Sequence, residues 1–177
     1  LLDLALEDGS TTTEQAIDEL ERLRFAWRGD RFEFALLQRL GDLYVLRGDY
    51  RKGLRLLRRA ASHTQNPESS QAAARRMRSI FTNLFSGEAG AKMPPLKALA
   101  LFEEFKELTP PGPKGDEVIL RLVDRLVAVD LLDRAAGILE SQVEYRLRGT
   151  AKARAAARLA LVRLMNQEPA KAVAALN

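Results

Sequence analysis

Apolar residues recur at spacings of three and four along nearly the whole chain, and no stretch alternates convincingly at a spacing of two. That periodicity gathers apolar side chains on one face of an α-helix and predicts no β-strand. The breaks between periodic runs carry helix start and stop signals. In EDGSTTTEQ, Thr11 stands three residues before Glu14, the spacing of a capping box that would open a helix over 14–27. RGDYRKG separates two amphipathic runs, and HTQNPESS offers Asn66 as a cap with Pro67 as the first helical residue. SGEAGAKMPP reads as a longer loop. LTPPGPKGDE ends on Asp116, a predicted cap, and RLRGTAKAR breaks near Gly149 and restarts at Thr150. These signals divide the chain into about nine helices of roughly 10 to 17 residues, arranged as pairs.

One small residue recurs in the second helix of each pair. Ala16, Gly53, Ala98, Ala135 and Ala172 are spaced by 37, 45, 37 and 37. The surplus of eight in the second spacing matches residues 86–93, where an insertion would fall. Four residues after each small residue comes a large apolar one: Leu20, Leu57, Phe102, Leu139 and Leu176. The small residue lets an antiparallel partner helix approach, and the large one fills the gap a turn later. The period predicts one helical-repeat domain over 1–177, in units of approximately 1–30, 31–67, 68–112, 113–149 and 150–177.

The second unit, LLQRLGDLYVLRGDYRKGLRLLRRAASHTQNP, resembles a tetratricopeptide repeat. Leu40, Gly41 and Tyr44 stand where that family prefers them on the first helix, Gly48 in the bend and Tyr50 at the start of the second helix. Gly53 replaces the usual alanine, Leu57 replaces an aromatic, Ala60 matches, and the closing proline comes late, at Pro67. The third unit keeps Phe81, Ala98, Phe102 and Pro110; the fourth keeps Leu122, Leu126, Leu132, Ala135 and Leu139. The first and fifth match mainly on the second helix. The 37-residue period exceeds the family's usual length of about 34. The resemblance implies an all-α fold: a right-handed α-solenoid of about five antiparallel helical pairs, a TPR-like superhelix. It also settles the tripeptide RGD, which occurs at 28–30 and 47–49. Gly48 and Asp49 fall at the family's helix-to-helix bend, and the first copy follows Trp27 at a helix end, so both read as turns.

Composition narrows the function. The chain has 177 residues, 46% apolar and 29% charged, which is a soluble globular balance with enough length for a substantial core. No apolar run approaches the roughly 20 residues of a membrane span. LLDLAL, at the start, lacks the basic flank of a signal peptide, and the chain reads as a fragment of a longer protein. There is no cysteine, hence no thiolate chemistry. The net charge is +4, and 21 of the 28 basic residues are arginine, a bias that points to a GC-rich bacterial genome. Bacterial cytoplasm and periplasm both remain open as the compartment.

Candidate chemistry is sparse. His63 is the single histidine and stands near a helix C-terminus, where its charged form would favour the helix dipole. The neighbouring carboxylates in GDEV and FEEF point to different helix faces and read as solvated charges. SGEAGAKM has two glycines and a lysine but lacks the phosphate-loop spacing. The expectation is no enzyme, no metal site and no cofactor.

Two surfaces remain. Arg51, Arg55, Arg58 and Arg59, followed by Arg75, Arg76 and Arg78, form a basic patch. It reads as a solvated face, a site for an acidic protein, or a site for nucleic acid, with no interleaved aromatics to stack on bases. The family register sets a concave face from the first helices: Gln38, Asp42, Val45, Arg75, Ser79, Asn83, Asp124 and Val127, ending at Leu161 and Leu164. Gln38 and Asp42 stand where some relatives clamp a peptide carboxylate with Lys and Asn, so that clamp is not expected. Phe25, Trp27, Phe32 and Phe34 read as core packing between units, with an exposed anchor as the alternative. The predicted function is a non-catalytic protein–protein interaction module that holds a peptide segment or helix of another protein in a concave groove. The alternatives are a nucleic-acid-binding repeat and a structural segment that dimerises through Leu1, Leu2, Leu4 and Leu6 as a homo-oligomer.

Overall fold

The computed structural model describes residues 9–26, 30–63 and 66–176. Every regular element among them is helical and none is a strand, so the fold is all-α. The α-helices are α1 (Thr13–Ala26), α2 (Asp30–Leu46), α3 (Tyr50–His63), α4 (Pro67–Ser86), α5 (Glu88–Lys92), α6 (Pro95–Phe105), α7 (Pro113–Ala128), α8 (Leu132–Ser141), α9 (Gly149–Met165) and α10 (Pro169–Ala174). A 3-10 turn follows α6 at Lys106–Leu108, and a π turn follows α8 at Gln142–Arg146. The chain forms two compact units, Leu1–Phe81 and Thr82–Asn177, which divide within α4. Leu1, Leu2, Leu4, Leu6, Trp27 and the first RGD through Gly29 lie outside the described residues, as do the side chains of Phe25, Asp30 and His63.

The first unit is built around the α2–α3 hairpin. Its turn is the second RGD: Gly48 takes φ +87°, Asp49 N donates to Tyr44 O at 2.8 Å, and Gly48 N donates to Val45 O at 2.9 Å. A residue with a Cβ incurs a steric cost at that φ. Asp49 then caps α3 by accepting from Lys52 N at 3.2 Å. Beyond the turn the two helices run antiparallel and very close. A Cβ on Gly53 would lie 2.6 Å from Val45 Cγ2 and 2.7 Å from Gly41 O; one on Gly41 would lie 2.8 Å from Leu57 Cγ. The small-residue approach expected at Gly53 is therefore present, and Gly41 faces it. Leu37, Leu40, Leu43, Leu54 and Leu57 are fully buried around this contact, each worth about 1.5–3 kcal/mol of transfer free energy. Ala16 and Ile17 of α1 close the core with Leu36, Tyr44, Leu56 and Ala60, and Phe34 packs against it while Phe32 stays half exposed. The α1 cap differs from expectation by one residue. Thr12 Oγ1 accepts from Gln15 N at 3.2 Å, and Gln15 Oε1 accepts from Thr12 N at 2.9 Å. Three consecutive threonines offer two overlapping cap registers, and the Thr12–Gln15 one is used. Asn66 caps α4 as expected, accepting from Glu68 N at 2.9 Å with Pro67 first in the helix.

In the second unit α6 packs on α7, α7 on α8, α8 on α9 and α9 on α10. Ala98, Ala135 and Ala172 are all buried, and so are Phe102 and Leu139; Leu176 instead is exposed, past the end of α10. Phe102 meets Phe85 edge-to-face, with centroids 6.0 Å apart. The segment read as a loop at 86–93 contains α5, and Gly90 of α5 is buried because its backbone runs against the Leu84 carbonyl. Asp116 is not a cap: α7 starts three residues earlier at Pro113, with Gly112 as cap residue. Proline's fixed φ suits the first helical position and explains the earlier start. Likewise α9 starts at Gly149, with Arg148 as its cap.

The Gly48 bend recurs. Asp130 and Gln167 both take φ 60°; Leu131 N donates to Leu126 O at 2.9 Å, and Glu168 N donates to Arg163 O at 2.8 Å. Each bend has the double hydrogen bond of a left-handed helix C-terminus. Residues 130 and 167 are one 37-residue period apart, and 48 and 130 are separated by 82, the sum of 37 and 45. In the third sequence unit α5 occupies the place of the bend.

Candidate partner-binding groove

Within the second unit, α7 and α9 form the walls of an open groove of about 680 Å³. Ile119 of α7, Leu139 of α8 and Ala155 of α9 make a buried apolar floor, and Leu120, Leu147 and Ala151 extend it upward. Leu120 is 42% exposed, so the wall is apolar yet open to solvent. The spacing of these residues explains the shape. On α7, residues 113, 116/117, 120 and 124 follow a helical stripe, and on α9 residues 151, 154/155 and 158 do the same.

The rim is charged, and its carboxylates are already engaged. Glu117 accepts from Arg121 at 2.7 Å, Asp124 accepts from Arg158 at 2.5 Å, and Asp116 lies 3.6 Å from Arg146. Arg121 also donates to Ser86 O at 2.8 Å. One turn along α7, Arg125 donates to Met93 O, and burial lowers the Arg125 pKa. The two ends of the inserted segment are thus both held by α7 arginines.

Of the predicted concave residues, Asp124 lines this groove. Val127 is half-buried on α7, and Leu161 and Leu164 are exposed on α9, 46% and 55% respectively. In the first unit Gln38, Asp42 and Val45 are half-buried on α2, while Arg75 and Ser79 are exposed on α4; Asn83 is exposed on the part of α4 that belongs to the second unit. Asp42 is drawn to Arg76 of the next first helix at 3.0 Å. Asp42–Arg76 and Asp124–Arg158 are both 34 residues apart, and each member is 82 residues from its counterpart. The same lateral ion pair therefore occurs once in each unit.

Leu120, Arg154 and Arg158 were not singled out from the sequence. A signal existed: Leu120 stands 82 residues after Gln38, and Arg158 stands 82 after Arg76. Arg76 reads as part of a basic patch by local charge density, which hides its place on the first-helix face.

The basic patch is exposed throughout: Arg51, Arg55, Arg58 and Arg59 on α3, and Arg75, Arg76 and Arg78 on α4. Within the patch, Arg59 pairs with Glu33 at 3.4 Å and Arg76 with Asp42 at 3.0 Å. Nearby, Lys52 donates to Tyr44 Oη at 2.5 Å, and Tyr44 donates to Glu21 at 2.9 Å. The Tyr44 hydrogen bond raises the Lys52 pKa above its ordinary value.

A second charged centre was also missed in sequence. Arg163 of α9 is buried and donates to Glu140 of α8 and to Glu168 before α10, the latter at 2.5 Å. Glu168 also accepts from Lys171 at 2.5 Å. The Lys171 and Arg163 contacts hold the Glu168 carboxyl down to about 2. This is a structural clamp of three helices. Among the described residues no cluster of His, Asp and Glu could hold a metal, and no helix is long and apolar enough to cross a membrane.

No family model matches the chain. No curated protein matches it. Among solved structures, MamA AMB-1 superposes with a TM-score of 0.39 at 18% identity, covering 97% of this chain and 81% of that one. MamA MSR-1 gives 0.37 at 17% identity, covering 97% and 86%. Superpositions this loose fix neither a fold nor a partner.

Proposed function

We propose that the chain is a non-catalytic protein–protein interaction module, built as one right-handed α-solenoid of helical pairs resembling tetratricopeptide repeats. The recurring bend at 48, 130 and 167 and the recurring Asp–Arg pair support the repeat reading. The groove between α7 and α9 carries the functional reading: an apolar floor, open to solvent, with rim carboxylates already neutralised from within. A preformed trough of this kind binds a peptide segment or helix at low ordering cost.

A photo-crosslinking residue at Leu120, with an equivalent at exposed Lys97 as control, tests it in source-organism lysate. The expected result is one protein captured through a defined segment at Leu120, lost with Ala151→Trp and insensitive to nuclease. Equal capture at Lys97 would sink the reading. Nucleic acid is the second reading, favoured by the seven exposed arginines of α3 and α4. It requires affinity that falls steeply with salt and disappears on charge reversal of Arg55, Arg58 and Arg59.

A further inference from the structure

We infer that the groove between α7 and α9 selects an amphipathic segment carrying one carboxylate, which pairs with Arg154. The inference rests on the interaction-module reading and goes to the chemistry of the partner. The groove has three carboxylates, Asp116, Glu117 and Asp124, and each already faces an arginine of this chain: Arg146, Arg121 and Arg158. Arg154 is the fourth arginine at the site. It lines the groove, is exposed, and has no ion-pair partner among the described residues. The site therefore presents an apolar trough with one uncompensated positive charge in its wall.

That charge discriminates among occupants. Arg154 stands one turn along α9 from Ala151 and one turn before Arg158, so a segment lying on Leu120, Leu147 and Ala151 must cover its guanidinium. An apolar segment without a carboxylate would strip water from the charge and offer no partner in exchange. A segment with Lys or Arg there would be repelled by a like charge. A segment with Asp or Glu gains a charge-assisted hydrogen bond in a site that partly excludes water.

Selection from a display library of random peptides about twelve residues long tests this, using the whole chain as bait. Baits are wild type, Arg154→Glu, and two groove-blocked forms, Ala151→Trp and Leu120→Glu. Arg154 is exposed and unpaired, so its replacement leaves the fold intact by circular dichroism. Wild type should enrich apolar peptides bearing Asp or Glu, and Arg154→Glu should enrich the same apolar pattern bearing Lys or Arg. In one selected peptide, Glu→Gln should weaken binding to wild type by roughly three- to tenfold and to Arg154→Gln hardly at all. Apolar peptides with no charge bias, shared by wild type and Arg154→Glu but lost on both blocked forms, would overturn the inference and leave the groove reading standing. No enrichment, or enrichment that survives both blocking substitutions, would overturn the groove reading and the inference together.

Discussion

Replacing Gly53 with alanine sets helix propensity against packing, and the geometry decides which wins. In an exposed helix the change would stabilise by about 1 kcal/mol, because glycine loses the most backbone entropy on folding. Here the new methyl group would lie 2.6 Å from Val45 Cγ2, 2.7 Å from Gly41 O and 3.2 Å from Val45 N. Carbon atoms prefer to sit about 3.5–4.0 Å apart, so the overlap approaches 1 Å. Two of the three neighbours are backbone atoms of α2 and cannot rotate away. Moving α2 outward would loosen Leu37, Leu40 and Leu57, all fully buried. With two rigid backbone neighbours, overpacking costs the upper part of its usual range, about 2–3 kcal/mol, so after the propensity gain of about 1 kcal/mol the net effect is a loss of about 1–2 kcal/mol. At this chain length that lowers Tm by roughly 2–8 °C. Gly137 of α8 provides the control, since a Cβ added there would meet nothing within 4 Å, and Gly137→Ala should stabilise by about 0.5–1 kcal/mol. Urea unfolding followed by far-ultraviolet circular dichroism compares the two. If Gly53→Ala moves the midpoint upward as Gly137→Ala does, the close approach of α2 and α3 is wrong.

Three further outcomes are expected. Arg163→Met should destabilise by about 2–3 kcal/mol in urea, below the full cost of a broken buried pair because Glu140 is 42% exposed; a neutral result would show that the clamp on α8, α9 and α10 carries no stability. Glu168 has its carboxyl lowered from 4.5 to about 2, so its stabilising contribution is complete above the ordinary value and is lost as pH falls through about 2. The difference between wild type and Glu168→Gln in urea midpoint should therefore hold steady from pH 7 to pH 5 and vanish near pH 2; a difference that grows on acidification would reverse the sign and refute the assignment. Gln167→Gly should stabilise by about 0.5–1 kcal/mol in a thermal melt, because Gln167 is exposed at φ 60° where glycine avoids the Cβ penalty; unchanged or lower Tm would mean that the bend costs glutamine nothing.

What the sequence reveals here follows from the range of each interaction. The Gly48 bend, the Asn66 cap and the buried small residues are local or periodic, and each follows from residues within a turn or two. The caps that differ do so for equally local reasons: three threonines compete at the start of α1, and Pro113 starts α7 ahead of Asp116. The groove is different. Arg154, Leu120 and Leu147 come together only when α7, α9 and the turn after α8 pack; Leu120 is marked in the sequence only by its offset of 82 from Gln38, and Arg154 and Leu147 by nothing. Arg163 resembles any other arginine of a basic helix until Glu140 and Glu168 close around it. The charged side chains are ambiguous in sequence because partner choice is settled by packing, as the assignment of Arg76 to Asp42 illustrates.

Arg121 belongs to two places at once. Its guanidinium is part of the groove rim, and it also holds the carbonyl of Ser86, where the inserted segment begins. Met93, where that segment ends, is tied to the same helix through Arg125. The insertion is thus a short arch with both feet on the groove's own wall, and its crown, at Glu88 and Lys92, stands in solvent. A dye attached to the crown at Lys92 would sit outside the groove while remaining mechanically connected to it. Such a label could report when the trough is filled without occupying any of the space a partner needs.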